Sequence, residues 1–296
     1  MSVILETYIK EKVKPKELVY EGYEEMSGGI LVEASLDLEV NYHQAFVEQL
    51  SYELNEESTA LVPSSGGAVV PVDKGGDAKP KGNIFKKIKE ALVNFFKAIG
   101  NFFKTTWKKI VNKFSVYRKV SYTIIESTKG KHFDMPESAQ ITGTYYEPGA
   151  IKLLTSSVDT VINMSGPIEM GGPTADKTAN IEEALNSFKK EMSAQYYKAH
   201  GHDILTQSTA GIVLIEKALK KLDGGIKKNI DDTSKLISEC DKAEKSNDSK
   251  ALKFIENGKS KVTSKNVMIS KIISAANKIT LNNLSAQKGV AKYYVE

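Results

Sequence analysis

Apolar residues recur along most of this chain at intervals of three and four, which is the spacing of amphipathic helices. The clearest case is the segment 83–114. At 100° per residue, its apolar side chains fall within one arc of about 140°. They are Ile84, Phe85, Ile88, Ala91, Leu92, Phe95, Phe96, Ile99, Phe102, Phe103, Ile110 and Phe114, with Trp107 just outside the arc.

The opposite side of this predicted helix is basic. Lys86, Lys97, Lys104 and Lys108 cluster there, which predicts a long basic amphipathic helix over 83–114. Beyond Trp107 the regular pattern weakens, because Lys109 and Lys113 fall on the apolar arc.

The C-terminal region 177–296 keeps the helical spacing almost throughout and predicts a bundle of three to five helices. Cys240 lies at an apolar position, which makes it a core residue. Gly201 predicts a helix break. The fold class is therefore mainly α: a C-terminal helical bundle, the long basic amphipathic helix and a small mixed N-terminal region.

The remaining segments show weaker patterns. Residues 3–13 predict a short amphipathic N-terminal peptide, and 34–60 an acidic segment with a strand at 34–42 and a helix at 44–57. Gly, Ser and Pro mark 61–82 as a flexible linker. Residues 115–176 are an irregular α/β region, in which 151–164 is helical. Within it, the β-branched stretch 116–125 indicates a strand or a continuation of the basic helix.

Charge is distributed unevenly along the chain. There is no Lys or Arg from residue 17 to residue 73, where twelve acidic residues occur. Between Lys81 and Lys119, nine further Lys or Arg face the single acid Glu90. This asymmetry indicates either an acidic arm that masks a basic segment or a basic segment that binds an anionic partner.

The apolar side of the basic helix requires cover, because burial of each large side chain is worth about 1.5–3 kcal/mol. The protein's own bundle is one candidate. An anionic membrane or another protein is the other, and the predicted contact residues are then Phe95, Phe96, Phe102, Phe103 and Trp107 together with Lys86, Lys97, Lys104 and Lys108. Nucleic acid is less favoured, because phosphate binding by lysine gives the phenylalanines no role.

The residues that catalysis or metal binding would need do not occur at suitable spacings. His200 and His202 have no third ligand at metal-site spacing, and the glycine pairs lack the surroundings of a phosphate-binding loop. The sequence thus predicts a protein that is not an enzyme and has no cofactor.

Residues Leu31-Val32-Glu33-Ala34 resemble the processing signal of the head-maturation proteases of T-even-like tailed bacteriophages, which cut after Glu. The signal follows Ser27-Gly28-Gly29 and an amphipathic peptide, as in internal head proteins of such phages. Ile181–Ala184 matches the same pattern but lies in a predicted helix. The resemblance implies that 1–33 is a targeting propeptide, that Leu31, Glu33 and Ala34 form the processing site, and that the mature chain starts at Ala34.

The leading interpretation is a non-enzymatic virion structural protein packaged inside a phage head. Its partners would be other virion proteins or further copies of itself. The alternative is a membrane-active bacterial effector or pore-forming protein, with 84–114 as the insertion element. Outside a virion, the composition predicts a soluble protein with peripheral membrane association.

Overall fold

A computed structural model of the chain describes residues 82–137, 139, 143–164, 181–246 and 249–296. All of these belong to one compact unit. The described part is mainly α-helical, which confirms the predicted fold class. Its helices are α1 (Gly82–Phe102), a π-helical turn (Phe103–Trp107), α2 (Lys108–Thr128), α3 (Pro148–Asn163), α4 (Ile181–Asn186), α5 (Ala194–Ser246) and α6 (Ser249–Ala291).

Helix α1, the π turn and α2 form one continuous helix whose buried residues show why the turn occurs. Along this helix, each buried residue follows the previous one by four, three, four and three residues, then by five, and then by three, four, three and four. We call this row of residues the buried stripe. The step of five coincides with the π turn, which absorbs one extra residue and keeps the stripe on one side. The stripe consists of Ile88, Leu92, Phe95, Ile99, Phe102, Trp107, Ile110, Phe114, Tyr117 and Ser121.

This extra residue explains why Lys109 is exposed although a uniform 100° step places it on the apolar arc. Lys113 does lie on the buried side, with 8% of its surface exposed and its ammonium 5.4 Å from the centre of the Tyr117 ring. Of the two alternatives for 116–125, the continuation of the basic helix is confirmed and the strand is wrong, because the helix runs on to Thr128. Burial of Tyr117 and Ser121 on this segment stabilises the helix by more than the small helix-propensity cost of the β-branched residues. The basic helix therefore has no boundary at residue 114.

The C-terminal bundle is built on a hairpin of two very long helices, and with the short α4 the described part of 177–296 has three helices, within the predicted three to five. Helix α5 has 53 residues and α6 has 43. They run antiparallel, since Asn229 donates to the carbonyl of Val262 and Gln287 donates to that of Leu205. Cys240 is fully buried, as predicted.

The predicted helix break at Gly201 is wrong, because Gly201 lies inside α5. A Cβ atom there would come within 2.7 Å of the Phe133 ring, so glycine allows close packing. Gly211 plays the same part toward α3, where a Cβ would lie 2.3 Å from Cδ1 of Ile151.

Helices α1, α2 and α3 all pack against α5. The described residues also include four short strands, in two antiparallel pairs. In the first, β1 (His132–Phe133) pairs with β4 (Tyr294–Val295); in the second, β2 (Thr144–Tyr146) pairs with β3 (Lys189–Glu191). The predicted helix at 151–164 is confirmed and begins earlier, at Pro148, where proline suits the first helical turn.

Buried polar side chains fix the register of α6 against its neighbours. Asn283 accepts from the backbone N–H of Tyr146 at 2.8 Å and donates to its carbonyl at 3.0 Å, like a strand neighbour. Gln287 accepts from Ser121 and donates to Thr209, at 2.8 and 2.7 Å. Because these partners satisfy each other in the interior, a shift of α6 by one turn would leave several polar groups unpaired.

Candidate functional site

The structure shows what covers the apolar side of the basic helix. Phe95, Phe102 and Trp107 are buried, with 0, 7 and 2% of their surfaces exposed, while Phe96 and Phe103 are half-buried. Of the two candidates for cover, the protein's own bundle is the one found in this fold. Three of the five aromatic residues predicted to bind a membrane or partner are thus enclosed, and only a rearrangement would bring them to a bilayer.

The π turn is anchored to α5 through Trp107. Its indole Nε1–H donates to Oδ1 of Asp223 at 3.1 Å. Asp223 also pairs with Lys227, 2.7 Å from carboxylate to ammonium, and the Lys227 ammonium lies 5.6 Å from the centre of the Phe103 ring. Residues at both ends of the turn therefore contact the same turn of α5.

Polar contacts on either side of the π turn hold the rest of the helix to α5. Near its beginning, Lys89 pairs with Asp241. In α2, Ser115 and Arg118 bind Glu216, at 2.7 Å from Ser115 Oγ and 3.2 Å from Arg118 Nη1. The basic helix is consequently fixed at several points along its length.

Glu216 is a buried carboxylate with an unusual set of partners. Its side chain is 2% exposed and also accepts from Lys220 at 2.6 Å. Burial by itself raises the pKa of Glu216, but the hydrogen bonds from Lys220 and Ser115 and the charges of Lys220 and Arg118 outweigh it. The pKa therefore lies below its ordinary value, and Glu216 is ionised at neutral pH.

The outward side of the helix presents an evenly spaced row of lysines. Lys86, Lys97, Lys108 and Lys119 follow one another at intervals of 11 residues, and all four are exposed. Eleven residues make about three helical turns, so neighbours are separated by about 16.5 Å along the axis. Lys104 lies between the second and third and is also exposed. These five residues are called the lysine row.

Four of these lysines, Lys86, Lys97, Lys104 and Lys108, are the predicted ones. Lys119 was missed because the predicted helix ended at residue 114, although the 11-residue spacing was visible in the sequence. Beyond the π turn, Lys108 and Lys119 are exposed like Lys86 and Lys97 before it.

No member of the lysine row has a salt bridge within the part of the chain that the structure describes. Along the sequence, residues 82–131 contain twelve Lys or Arg and two acids, Glu90 and Glu126, a formal excess of +10. Of the two acids, Glu126 pairs with Lys129. In space, Glu90 and Glu244 of α5 line the same cleft as Lys86 and Lys97. The row is therefore a cationic surface whose ammonium groups can bind anions.

Other candidate chemistry is sparse among the described residues. No group of three potential metal ligands occurs within them. His200 lies 4.0 Å from Asp203, and His202 lies 3.5 Å from the Tyr294 hydroxyl, both at the surface. Burial raises the pKa of Cys240 to about 12, with the Asp241 charge adding to the effect, so its thiol is protonated at neutral pH.

The processing residues Leu31, Glu33 and Ala34 lie outside the described residues, as do the propeptide 1–33, the acidic segment 34–60 and the linker up to residue 81. No described helix combines the length and apolar character needed to cross a bilayer. No protein-family model matches the sequence, and neither the curated proteins nor the solved structures contain a match to it.

Proposed function

We propose that this chain is a non-enzymatic structural protein of a bacteriophage virion, packaged inside the head, and that its lysine row contacts the packaged DNA. The observation behind the DNA contact is the row of exposed lysines, without a salt bridge to any described residue, on a helix fixed to α5 by its buried side. The phage head as location rests on the resemblance of Leu31–Ala34 to a maturation signal.

DNA suits this surface better than a bilayer does. An interfacial membrane helix uses its apolar side for binding, and here that side lies in the protein core. In the sequence alone, the phenylalanines argued against nucleic acid, because phosphate binding by lysine gives them no role. Since they pack the helix onto the bundle, that objection no longer applies. What remains exposed is lysine, which binds phosphate as a point charge.

The spacing of the lysine row favours contact with phosphates over reading of bases. Lysine and phosphate attract at any base sequence, and direct base readout requires side chains that enter a groove. The interval from Lys86 to Lys119 corresponds to about 50 Å of helix. A surface of that length contacts backbone phosphates at several separate points.

The test is binding of the full chain to a 40-base-pair duplex at a series of salt concentrations. The quadruple variant K86Q/K97Q/K108Q/K119Q should bind more weakly, and its plot of log affinity against log salt should be shallower by up to about 0.9 for each phosphate that is no longer neutralised. The matched control K235Q/K278Q/K288Q/K292Q changes the same number of exposed lysines elsewhere.

Equal weakening in the two quadruple variants would show that only net charge matters and would overturn the role of the lysine row. Binding to anionic vesicles in place of DNA would favour the membrane-active alternative. The location has its own test: mass spectrometry of native phage particles should find the chain beginning at Ala34. An intact Met1 or Ser2 terminus in mature particles would remove the argument from processing.

A further inference from the structure

Helix α5 has an uncovered side on the surface between α2 and α3. Two adjoining clefts meet there, with volumes of about 450 Å³ toward α3 and 470 Å³ toward α2. Both are lined by Ala210 and Leu214, so Leu214 stands between them. We call this double cleft the Leu214 groove.

The groove is apolar at its base. Leu214 is 48% exposed and Tyr122, on the α2 wall, is 47% exposed. Only four large apolar side chains among the described residues are exposed, and these are two of them. The base of the α3 side consists of Ile151 and Val158. Apolar side chains that are exposed together in a concave surface mark a binding site more often than exposed apolar side chains that are scattered.

Small residues leave room for a further helix. Ala210 and Ala218 lie one helical turn on either side of Leu214, in the same stripe of α5. Helices pack at interaxial distances of about 8–10 Å, and the closer end of that range requires small residues at the contact. A helix laid along this stripe would contact α2 on one side and α3 on the other.

The rim of the groove is cationic. Lys152 on α3 and Lys217 and Lys221 on α5 line it, against a single acid, Asp159. Lys221 approaches Asp159 at 4.0 Å. Neither Lys152 nor Lys217 has a salt bridge within the described residues. The rim therefore lacks anionic partners for two of its lysines.

We propose that the Leu214 groove binds an amphipathic helix of another protein whose apolar side is flanked by acidic residues. The apolar base, the small residues beside Leu214 and the lysine rim each correspond to one feature of such a helix. A bilayer surface fits less well, because the apolar residues lie in a cleft between two helices. The inference does not depend on the proposed DNA contact, which uses the outward side of α1 and α2.

The test uses a fluorescein-labelled synthetic peptide of 18 residues with leucine at every third and fourth position and glutamate on both flanks. The full chain should bind it measurably by fluorescence anisotropy. L214K should weaken binding about tenfold or more, because it removes a central apolar anchor. K217E should also weaken peptide binding, and by a larger factor at low salt than at high salt, because salt screens the attraction between charges.

The matched control is V116K, which places lysine at another exposed apolar residue, about 120° around α2 from Tyr122. It should bind the peptide like the unaltered chain, and all variants should unfold at similar temperatures. Equal binding of a peptide with lysine in place of glutamate would overturn the proposal. So would an unaltered affinity of L214K, or absence of binding to the unaltered chain. Anionic vesicle binding that L214K abolishes, without peptide binding, would overturn it in favour of lipid.

Discussion

Trp107 donates a hydrogen bond to Asp223 at the point where the first helix leaves its π turn, with 3.1 Å between Nε1 and Oδ1. Because Trp107 follows Phe102 by five residues instead of four, it reaches this position only through the π turn. Without the turn, residue 106 would face α5, and it is a threonine. The contact shows that the extra residue is accommodated without interruption of the buried stripe.

Deletion of Thr105 should therefore be tolerated. Removing this exposed residue shortens the step from Phe102 to Trp107 to four and gives an uninterrupted stripe with spacings of three and four. We expect a helical, cooperatively unfolding protein whose melting temperature, followed by circular dichroism, shifts by only a few degrees.

The matched deletion is Asn112, an exposed residue in α2. Its removal rotates Phe114 and Tyr117 by about 100° relative to Trp107, since no π turn absorbs the change. Loss of their burial should cost several kcal/mol. If both deletions had the same effect, the π turn would not be the device that sets the register.

Most of the helices could be predicted from the sequence, because the three- and four-residue spacing of apolar positions is a local property of the chain. The sequence left 116–125 open between a strand and a helix, because β-propensity there competes with tertiary packing that favours the helix. Gly201 was misread because its reason, the approach of Phe133, comes from a distant segment. Long-range contacts of this kind leave no local signal.

The candidate site was readable in part. The lysines of the row were visible as a basic side, and the step of five at Trp107 was present in the sequence. What covers the phenylalanines was not readable, since an amphipathic helix has the same pattern whether its apolar side meets a bundle or a bilayer. The Leu214 groove was missed because it forms only where α2 and α3 flank α5.

Glu216→Gln should change the way in which the free energy of unfolding depends on pH. The pKa of Glu216 is lowered in the folded protein, so its contribution is complete above the ordinary glutamate value of about 4.3 and is lost as pH falls through the folded value. At pH 7 we expect the variant to be less stable by about 1–2 kcal/mol, allowing for solvent around half-exposed Lys220.

Urea unfolding at pH 7 and at pH 3 would measure this difference, which should shrink at the lower pH. The control is Glu239→Gln, which removes a surface carboxylate paired only with Lys242 among the described residues, and should change stability little at either pH. A difference between the Glu216 variant and the unaltered chain that stayed constant with pH would contradict the charge-based explanation.

The isolated segment 178–296 should not fold as a cooperative unit. Its helical periodicity alone is that of a separate bundle, but α1, α2 and α3 all pack against α5. Without them, the side of α5 that meets Trp107 and packs against these three helices would face water. We expect weak helicity or aggregation by circular dichroism and light scattering. Extending the fragment to 82–296 should restore a sharp thermal transition, and a sharp transition in 178–296 alone would contradict the shared core.

Adjacent phenylalanines on α1 offer a direct test of whether the basic helix stays packed. Phe95 is fully buried and Phe96 is half-buried. Phe95→Ala should destabilise the protein by about 3–5 kcal/mol, because it leaves a cavity in the core. Phe96→Ala removes a less enclosed ring and should cost about 1 kcal/mol. Chemical denaturation of the two variants compares the same substitution at neighbouring positions.

The same helix contains the chain's single tryptophan, Trp107, which reports on its surroundings by fluorescence. If α1 and α2 remain on the bundle, anionic vesicles should leave the emission of the buried indole unchanged, and the two variants should differ in stability as stated. Suppose instead that vesicles shift the emission, and that Phe95→Ala unfolds at the same denaturant concentration as the unaltered chain. The phenylalanines would then act outside the core, and membrane insertion by 84–114 would replace DNA contact as the better account of the basic helix.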